Sequence, residues 1–470
     1  MRIVALVVCI LFILWLVIRD VRRRPSVSNA MWIPIALLLI LGSRQVSSWM
    51  SSSGPGVYEE SGFGNDQARS PLDQLFWLII LSSSFVIATR RGVKWARILA
   101  ANPTVVAFYL YFLVSVSWSG DPVGSLKRIV KDFGLIFVIG LIFSEKDPFQ
   151  SLRAVYARCA FILFPLSVLF IRYYPALGRA YTVAGEPMAT GVTMQKNSLG
   201  EIVLIFTLFL VWDYMEELRA QKKFRWGKIP WEKALLVLMG LYLLQQSQSR
   251  SGLLCLCVGS ALIIRGRPFV SKAINRTVLS GAISLPVLLF FSQRFSSVIA
   301  PIVAAMGRDM TFTGRTDIWQ HINSATVSPL IGAGYWNFWG GPGGYAICEA
   351  MRTGVNNAHC GYMDMYLDGG IIGLCMLLIL LVSCGSRLIR NLRMSADTMR
   401  FERLRFALLI IAIIYNLSET AFARVSCIWF TVLMALVTIP PMKVRARKTR
   451  LVLTDVDQAH SMMAVSNRPA

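Results

Sequence analysis

The feature that most constrains this chain is the recurrence of apolar runs close to the length that crosses a bilayer. A hydrocarbon core ~30 Å thick takes about 20 helical residues at ~1.5 Å each. Segments near 3–18, 30–49, 72–89, 98–117, 129–144, 155–172, 197–214, 234–246, 251–264, 277–292, 369–386, 406–421 and 425–440 approach that length. Inside lipid only helices and closed barrels satisfy their own backbone polar groups, so the runs predict an all-α polytopic transmembrane bundle of about 12–13 spans. The first run has only Arg2 before it and no small-residue cleavage site after it, so it reads as an uncleaved anchor.

Charge gives the bundle sidedness. Of 470 residues, 55% are hydrophobic and 16% charged, and mean hydropathy is +0.56. This excludes an ordinary soluble enzyme and a disordered chain. Yet 48 Lys and Arg face 25 Asp and Glu, a net charge of +23. A nucleic-acid domain would gather that charge on one patch. Here the cations cluster at 19–24, 90–97, 219–233, 265–276, 387–405 and 443–450, between apolar runs. The pattern excludes a nucleic-acid partner and, by the positive-inside rule, puts these loops in the cytoplasm. Loops 50–71, 118–128, 173–196, 245–251 and 293–368 then face outward, and an odd span count puts the N-terminus outside. The chain divides into anchor spans with a Ser/Gly-rich outer loop (1–70), a membrane domain (71–440) containing the long, partly helical outer loop 293–368, and a basic cytoplasmic tail (441–470). No spacing of Cys or His suggests a metal site. Most of the nine cysteines sit in apolar runs as small hydrophobes. Cys348 and Cys360 share the long outer loop, where a disulfide and two separate thiols both fit the sequence.

Charges that break the sidedness pattern carry the functional signal, because at membrane depth they need a partner or a task. Five outer clusters hold them. Trp118-Ser-Gly-Asp121-Pro122 precedes Lys127, Arg128 and Lys131; Asp-Pro favours a turn before a helix, and the cations read first as snorkelling anchors. Lys196-Asn197 opens a span, where it fits both anion or sugar binding and simple capping. Ser249-Arg250-Ser251 joins two spans: Ser249 caps the next helix, and Arg250 beside a helix N-terminus suits a phosphate or bonds nearby carbonyls. In Thr313-Gly314-Arg315-Thr316-Asp317-Ile318-Trp319, Thr313 or Thr316 caps a short helix on which Arg315 and Trp319 share a face. Asn356-Asn357-Ala358-His359-Cys360-Gly361-Tyr362 predicts an Asn357 N-cap with His359 in the first helical turn, where an imidazolium is disfavoured and a neutral ring can accept a proton. A histidine that only bonds a carbonyl is the plainer reading of that cluster alone.

In order and common sidedness these clusters resemble the O-antigen ligase/polymerase superfamily, bacterial membrane glycosyltransferases that use polyprenyl-diphosphate-linked sugars. The stretches that carry the resemblance are Trp118-Ser-Gly-Asp-Pro122, Gln195-Lys-Asn-Ser-Leu-Gly200, Ser249-Arg-Ser251, Gly314-Arg-Thr-Asp-Ile-Trp319, Asn357-Ala-His-Cys-Gly-Tyr-Met-Asp364 with Gly369-Gly-Ile-Ile-Gly373, and Asn416-Leu-Ser-Glu419. They span roughly 70–440, and the Gly-Arg-Thr-Asp-Ile-Trp form points to the exopolysaccharide-polymerase branch. Cys360 departs from the family, which more often has Asn or Ser-like residues after the histidine. The resemblance implies that His359 is catalytic and that Arg250 and Arg315 hold the donor diphosphate. Lys196 and Arg128 follow as further substrate contacts, and Glu419 orients an arginine, binds a hydroxyl or is a plain helix-end charge. It implies no metal and no cofactor, an inverting displacement at the periplasmic face of the inner membrane, and membrane lipid, a flippase and chain-length or export proteins as partners. Ligation of finished polymer to lipid A-core and a flippase of lipid-linked oligosaccharide are the alternatives.

Overall fold

The computed structural model describes residues 1–51, 70–181, 185–220, 231–264, 276–277, 279–281, 283–284, 315–323, 326–352, 354–391 and 396–440. The Ser/Gly-rich loop after Ser51, the basic loops at 221–230 and 265–275, Thr313, Gly314 and the tail 441–470 lie outside the described residues. The described helices belong to one compact unit, Met1–Pro440.

The helices are α1 (Arg2–Arg23), α2 (Trp32–Leu41), α3 (Val46–Met50), α4 (Pro71–Arg90), α5 (Trp95–Ala101), α6 (Pro103–Ser115), α7 (Pro122–Phe143), α8 (Pro148–Tyr173), α9 (Pro175–Gly178), α10 (Lys196–Ala220), α11 (Trp231–Ser247), α12 (Arg250–Ile264), α13 (Arg315–Asn323), α14 (Pro342–Met351), α15 (Gly361–Asn391), α16 (Ala396–Tyr415) and α17 (Cys427–Leu436). Every expected apolar run coincides with one or two of them except 277–292, which lies mostly outside the described residues. Among the described residues five helices are long and apolar enough to cross a membrane, α1, α4, α8, α10 and α15, or six if the bent pair α5–α6 is one span. The architecture is all-α. One short antiparallel hairpin interrupts it, Arg179–Tyr181 (β1) against Pro187–Ala189 (β2), which the hydropathy pattern did not foretell. No disulfide joins Cys348 and Cys360.

Among the described helices long enough to cross a membrane, α8 and α10 are the most buried and α1 the least. Only Cys9, Leu16 and Asp20 of α1 are buried, and Asp20 is held by Arg24 and by Arg158 of α8, the latter at 2.8 Å. Two breaks shape the rest. The run 98–117 is not a straight span: Pro103 lacks an N–H and disfavours helix at the preceding residue, and α5 and α6 meet at 96°. Asn102 at that corner is buried and exchanges bonds with Thr438, donating to its carbonyl at 2.8 Å and accepting from its N–H at 2.8 Å.

The second break is at Gly370 in α15, where φ is 60° and ψ −163°, a region open essentially to glycine alone. Segment 329–334 inserts there. Ile371 and Ile372 donate to the carbonyls of Pro329 and Leu330, and Ala333 and Gly334 donate to those of Leu367 and Asp368. The rest of the outer chain forms a small apolar cap in which Ile318 and Ile322 of α13 pack with Phe338, Trp339, Ile347 and Leu367. A Cβ at Gly370 would meet the Leu330 carbonyl carbon at 2.3 Å. Gly370→Ala is therefore expected to destabilise the protein by about 2–4 kcal/mol, read as a lower thermal unfolding midpoint in detergent; an unchanged midpoint would show that the kink straightens freely.

Candidate active site

The N-terminal ends of α10, α12 and α15 and the C-terminal end of α16 meet around a non-helical connector, residues 416–426, between α16 and α17. Asn416, fully buried, shapes it: its carbonyl oxygen accepts from the N–H groups of Ala421 (2.8 Å) and Phe422 (2.9 Å), and its amide donates to Ala412 at 2.8 Å. Gly361, the first residue of α15, then donates its N–H to the carbonyls of Asn416 (2.9 Å) and Glu419 (3.1 Å).

Asp364, one turn into α15 and 1% exposed, is the acceptor that joins the parts. It takes the Ala358 N–H at 3.1 Å, the Trp339 indole N–H at 2.6 Å and the Thr420 hydroxyl. His359 follows Ala358 directly. Its N–H donates to the Asn357 side chain at 2.8 Å and its φ is 49°. It therefore precedes the helix in a tight Asn-capped turn, not in the first helical turn expected from sequence, because the N–H at the helix start is already taken by connector carbonyls.

The group facing the ring is Glu419, whose Oε2 is 3.7 Å from His359 Nδ1. Glu419 also accepts from the Asn197 amide at 3.4 Å, which brings the Lys196-Asn197 pair at the start of α10 to the same place. Ser249 caps α12, accepting from the Gly252 N–H at 3.2 Å as the sequence suggests, and Ser418 donates to Ser251 at 2.7 Å. Arg250, between those serines, is exposed at the start of α12. Arg315 opens α13, and its side chain lies outside the described residues. Its helix is nonetheless tied to the site, because Trp319 donates to the carbonyl of Ala358 at 2.9 Å.

Arg128 belongs to a second group. Asp121 caps α7 as expected, accepting from Gly124 at 2.9 Å. Arg128 donates to the Trp336 carbonyl at 3.0 Å, lies 4.0 Å from Asp121 and sits 5.7 Å from the Trp336 ring. Arg424 of the connector approaches the same ring at 4.9 Å and pairs with the fully buried Asp368 at 2.8 Å. Sequence reasoning missed Arg424, because a lone cation between two apolar runs reads as a boundary. The usable signal was its place on the outer side, five residues after Glu419. It missed Asp132 as well, which accepts from Tyr335 and Trp429 at 2.5 Å each and pins the inserted segment to the bundle. Among the described residues no three His, Cys, Asp or Glu side chains come together as metal ligands do.

Many apolar helices thus carry, at one set of ends, a histidine–carboxylate pair flanked by cationic helix starts. Residues 234–378 match the O-antigen ligase family model, so this part of a multi-pass membrane chain is similar to the O-antigen ligase/exopolysaccharide polymerase superfamily. Its similarity to the exopolysaccharide production protein ExoQ of Rhizobium meliloti (strain 1021) is 27% identity over 298 residues, covering 59% of this chain and 63% of that protein, less than two thirds of the relative's length. Arg250, Arg315, His359 and Asp364 lie inside the family match; Arg128, Lys196, Glu419 and Arg424 lie outside it. Replacing Asp364 with Ala would strand three buried donors at once. It is expected to cost about 3 kcal/mol or more, measured as thermal unfolding, with Asp364→Asn falling between wild type and Ala; a wild-type midpoint for the Ala variant would remove Asp364 as the fastening point.

Proposed function

We propose that this protein is an inner-membrane glycosyltransferase that polymerises polyprenyl-diphosphate-linked oligosaccharide repeats into an exopolysaccharide or O-antigen-like chain at the periplasmic face. The observation that carries the reading is the Glu419 carboxylate 3.7 Å from Nδ1 of His359. A carboxylate on that side orients the ring and stabilises the imidazolium that forms, leaving Nε2 to take a proton. The acceptor hydroxyl oxygen attacks the anomeric carbon and its proton passes to His359. The bond from that carbon to the diphosphate oxygen breaks, and the lipid diphosphate departs with the electron pair. One in-line displacement inverts the anomeric centre. Arg250 and Arg315 neutralise the departing charge. Lys196 and Asn197 are set to contact sugar or phosphate beside Glu419, and Arg128 with Arg424 supplies positive charge nearby. A flippase and chain-length or export proteins are the partners such a polymerase requires.

The O-antigen ligase description of the matched family supports a second reading, transfer of finished polymer to a separate acceptor such as lipid A-core. The two share a donor and differ in acceptor. Purified protein given a polyprenyl-diphosphate oligosaccharide as both donor and acceptor is expected to extend chains. His359→Ala is expected to lower that rate at least about 100-fold; undiminished growth in the variant would sink the assigned chemistry, and product only with an added lipid A-core acceptor would favour ligation. Arg315→Lys keeps the charge but loses the planar fork that grips phosphate oxygens, so turnover is expected to fall about tenfold or more. Wild-type kinetics in that variant would take Arg315 out of the site.

A further inference from the structure

The opposite end of the bundle holds a charged cavity that the proposed reaction does not use. α10 carries Asn197 beside Glu419 and Glu217 twenty residues on, about 30 Å along a helix axis. At that far end the C-terminal end of α1, the start of α8, the end of α10 and the start of α11 enclose a cavity of about 220 Å³. Ion pairs tie its lining residues to one another and to the neighbouring Asp213 and Arg158. Lys233 lies 2.5 Å from Asp213, which also pairs with Arg153, while Arg158 and Arg24 hold Asp20. The lining is still cationic, five Arg and Lys against Asp20, Glu217 and Glu232.

The surplus sits at the rim. Arg19 and Arg23 share a single oxygen of Glu232, at 3.5 and 2.6 Å, and keep 31% and 52% of their side chains exposed. Both also border a groove of about 450 Å³ on the outer face of α1, lined otherwise, among the described residues, by Trp15, Ile18 and Arg22. Trp15 stacks on Trp231 of α11 at 5.5 Å and carries Arg19 over its ring at 5.0 Å. Tryptophans and arginines at helix ends mark the headgroup level of a bilayer. A cationic cavity therefore opens at that level onto an apolar groove facing the acyl chains.

We propose that this is a binding site for an anionic phospholipid, with the phosphate at Arg19 and Arg23 and one acyl chain in the groove along Trp15 and Ile18. A free phosphate would fill the cavity and leave the groove empty. A zwitterionic headgroup would bring its own cation against the surplus of positive charge. Basic pockets between transmembrane helices are a recurrent solution for anionic headgroups.

The full-length protein in a neutral detergent tests this by thermal unfolding with dioctanoylphosphatidylglycerol, dioctanoylphosphatidylcholine or inorganic phosphate. Phosphatidylglycerol is expected to raise the midpoint in a saturable way, with the other two giving little shift. Arg19→Gln with Arg23→Gln is expected to weaken that response at least about tenfold. Arg22→Gln on the groove wall leaves the Glu232 pairs intact, so it serves should the double variant not fold, and it is expected to weaken binding several-fold. Equal shifts with phosphatidylcholine, the same shift from inorganic phosphate alone, or wild-type affinity in the folded variants would each overturn the proposal.

Discussion

A buried carboxylate is tolerable only where it is matched by donors, and Asp364 meets that condition by drawing on three separate parts of the chain. The Ala358 amide comes from the turn before His359, the Trp339 indole from the outer cap, and the Thr420 hydroxyl from the connector between α16 and α17. None of the three donor residues lies in a helix or strand that would fix its position. Their common acceptor brings them into one register, which leaves His359 and Glu419 facing each other across 3.7 Å. The pairing of imidazole and carboxylate is in this sense a consequence of a structural bond made one helical turn away.

The same logic recurs wherever polar groups enter the bundle. Asp132 lies between Tyr335 and Trp429, Asp368 meets Arg424, and Glu201 accepts the Ile428 N–H at 2.9 Å. Asp132 and Asp368 each join a non-helical segment to a helix, and Glu201 joins α10 to the start of α17, so the irregular chain at this end of the bundle is anchored by acids. At the far end the acids instead bind helix to helix, Asp20 across α1 and α8 and Asp213 across α8, α10 and α11. The two ends use one kind of bond for different purposes: one positions loops, the other closes the bundle.

What was legible in the sequence follows from what hydropathy measures. An average over about 20 residues locates helices well, and the apolar runs within the described residues fall on helices. It cannot see a break, so the corner at Asn102-Pro103 and the kink at Gly370 were absorbed into spans, though Pro103 was a readable sign. The connector 416–426 was hidden likewise, and Arg424 with it. Asn416 and Glu419 stood out because polar residues near the end of an apolar run are conspicuous, yet the partner of Glu419 was not legible: His359 is 60 residues away and its approach depends on Asp364, Thr420 and Gly361 together. The short β1–β2 hairpin was silent because three-residue strands have no periodicity to detect.

His359 also has an unusual backbone. A φ of 49° is uncommon for residues with a side chain, and Asn, Asp and His are the types found there most often, while β-branched residues are nearly excluded. The turn is thus a conformational filter that operates before any chemistry does. Of the three types favoured there, only histidine carries a base that exchanges protons near neutral pH. The geometry that points the ring at Glu419 also narrows the alphabet at this position, so a search through sequence space for another proton acceptor here meets a steric barrier as well as a catalytic one.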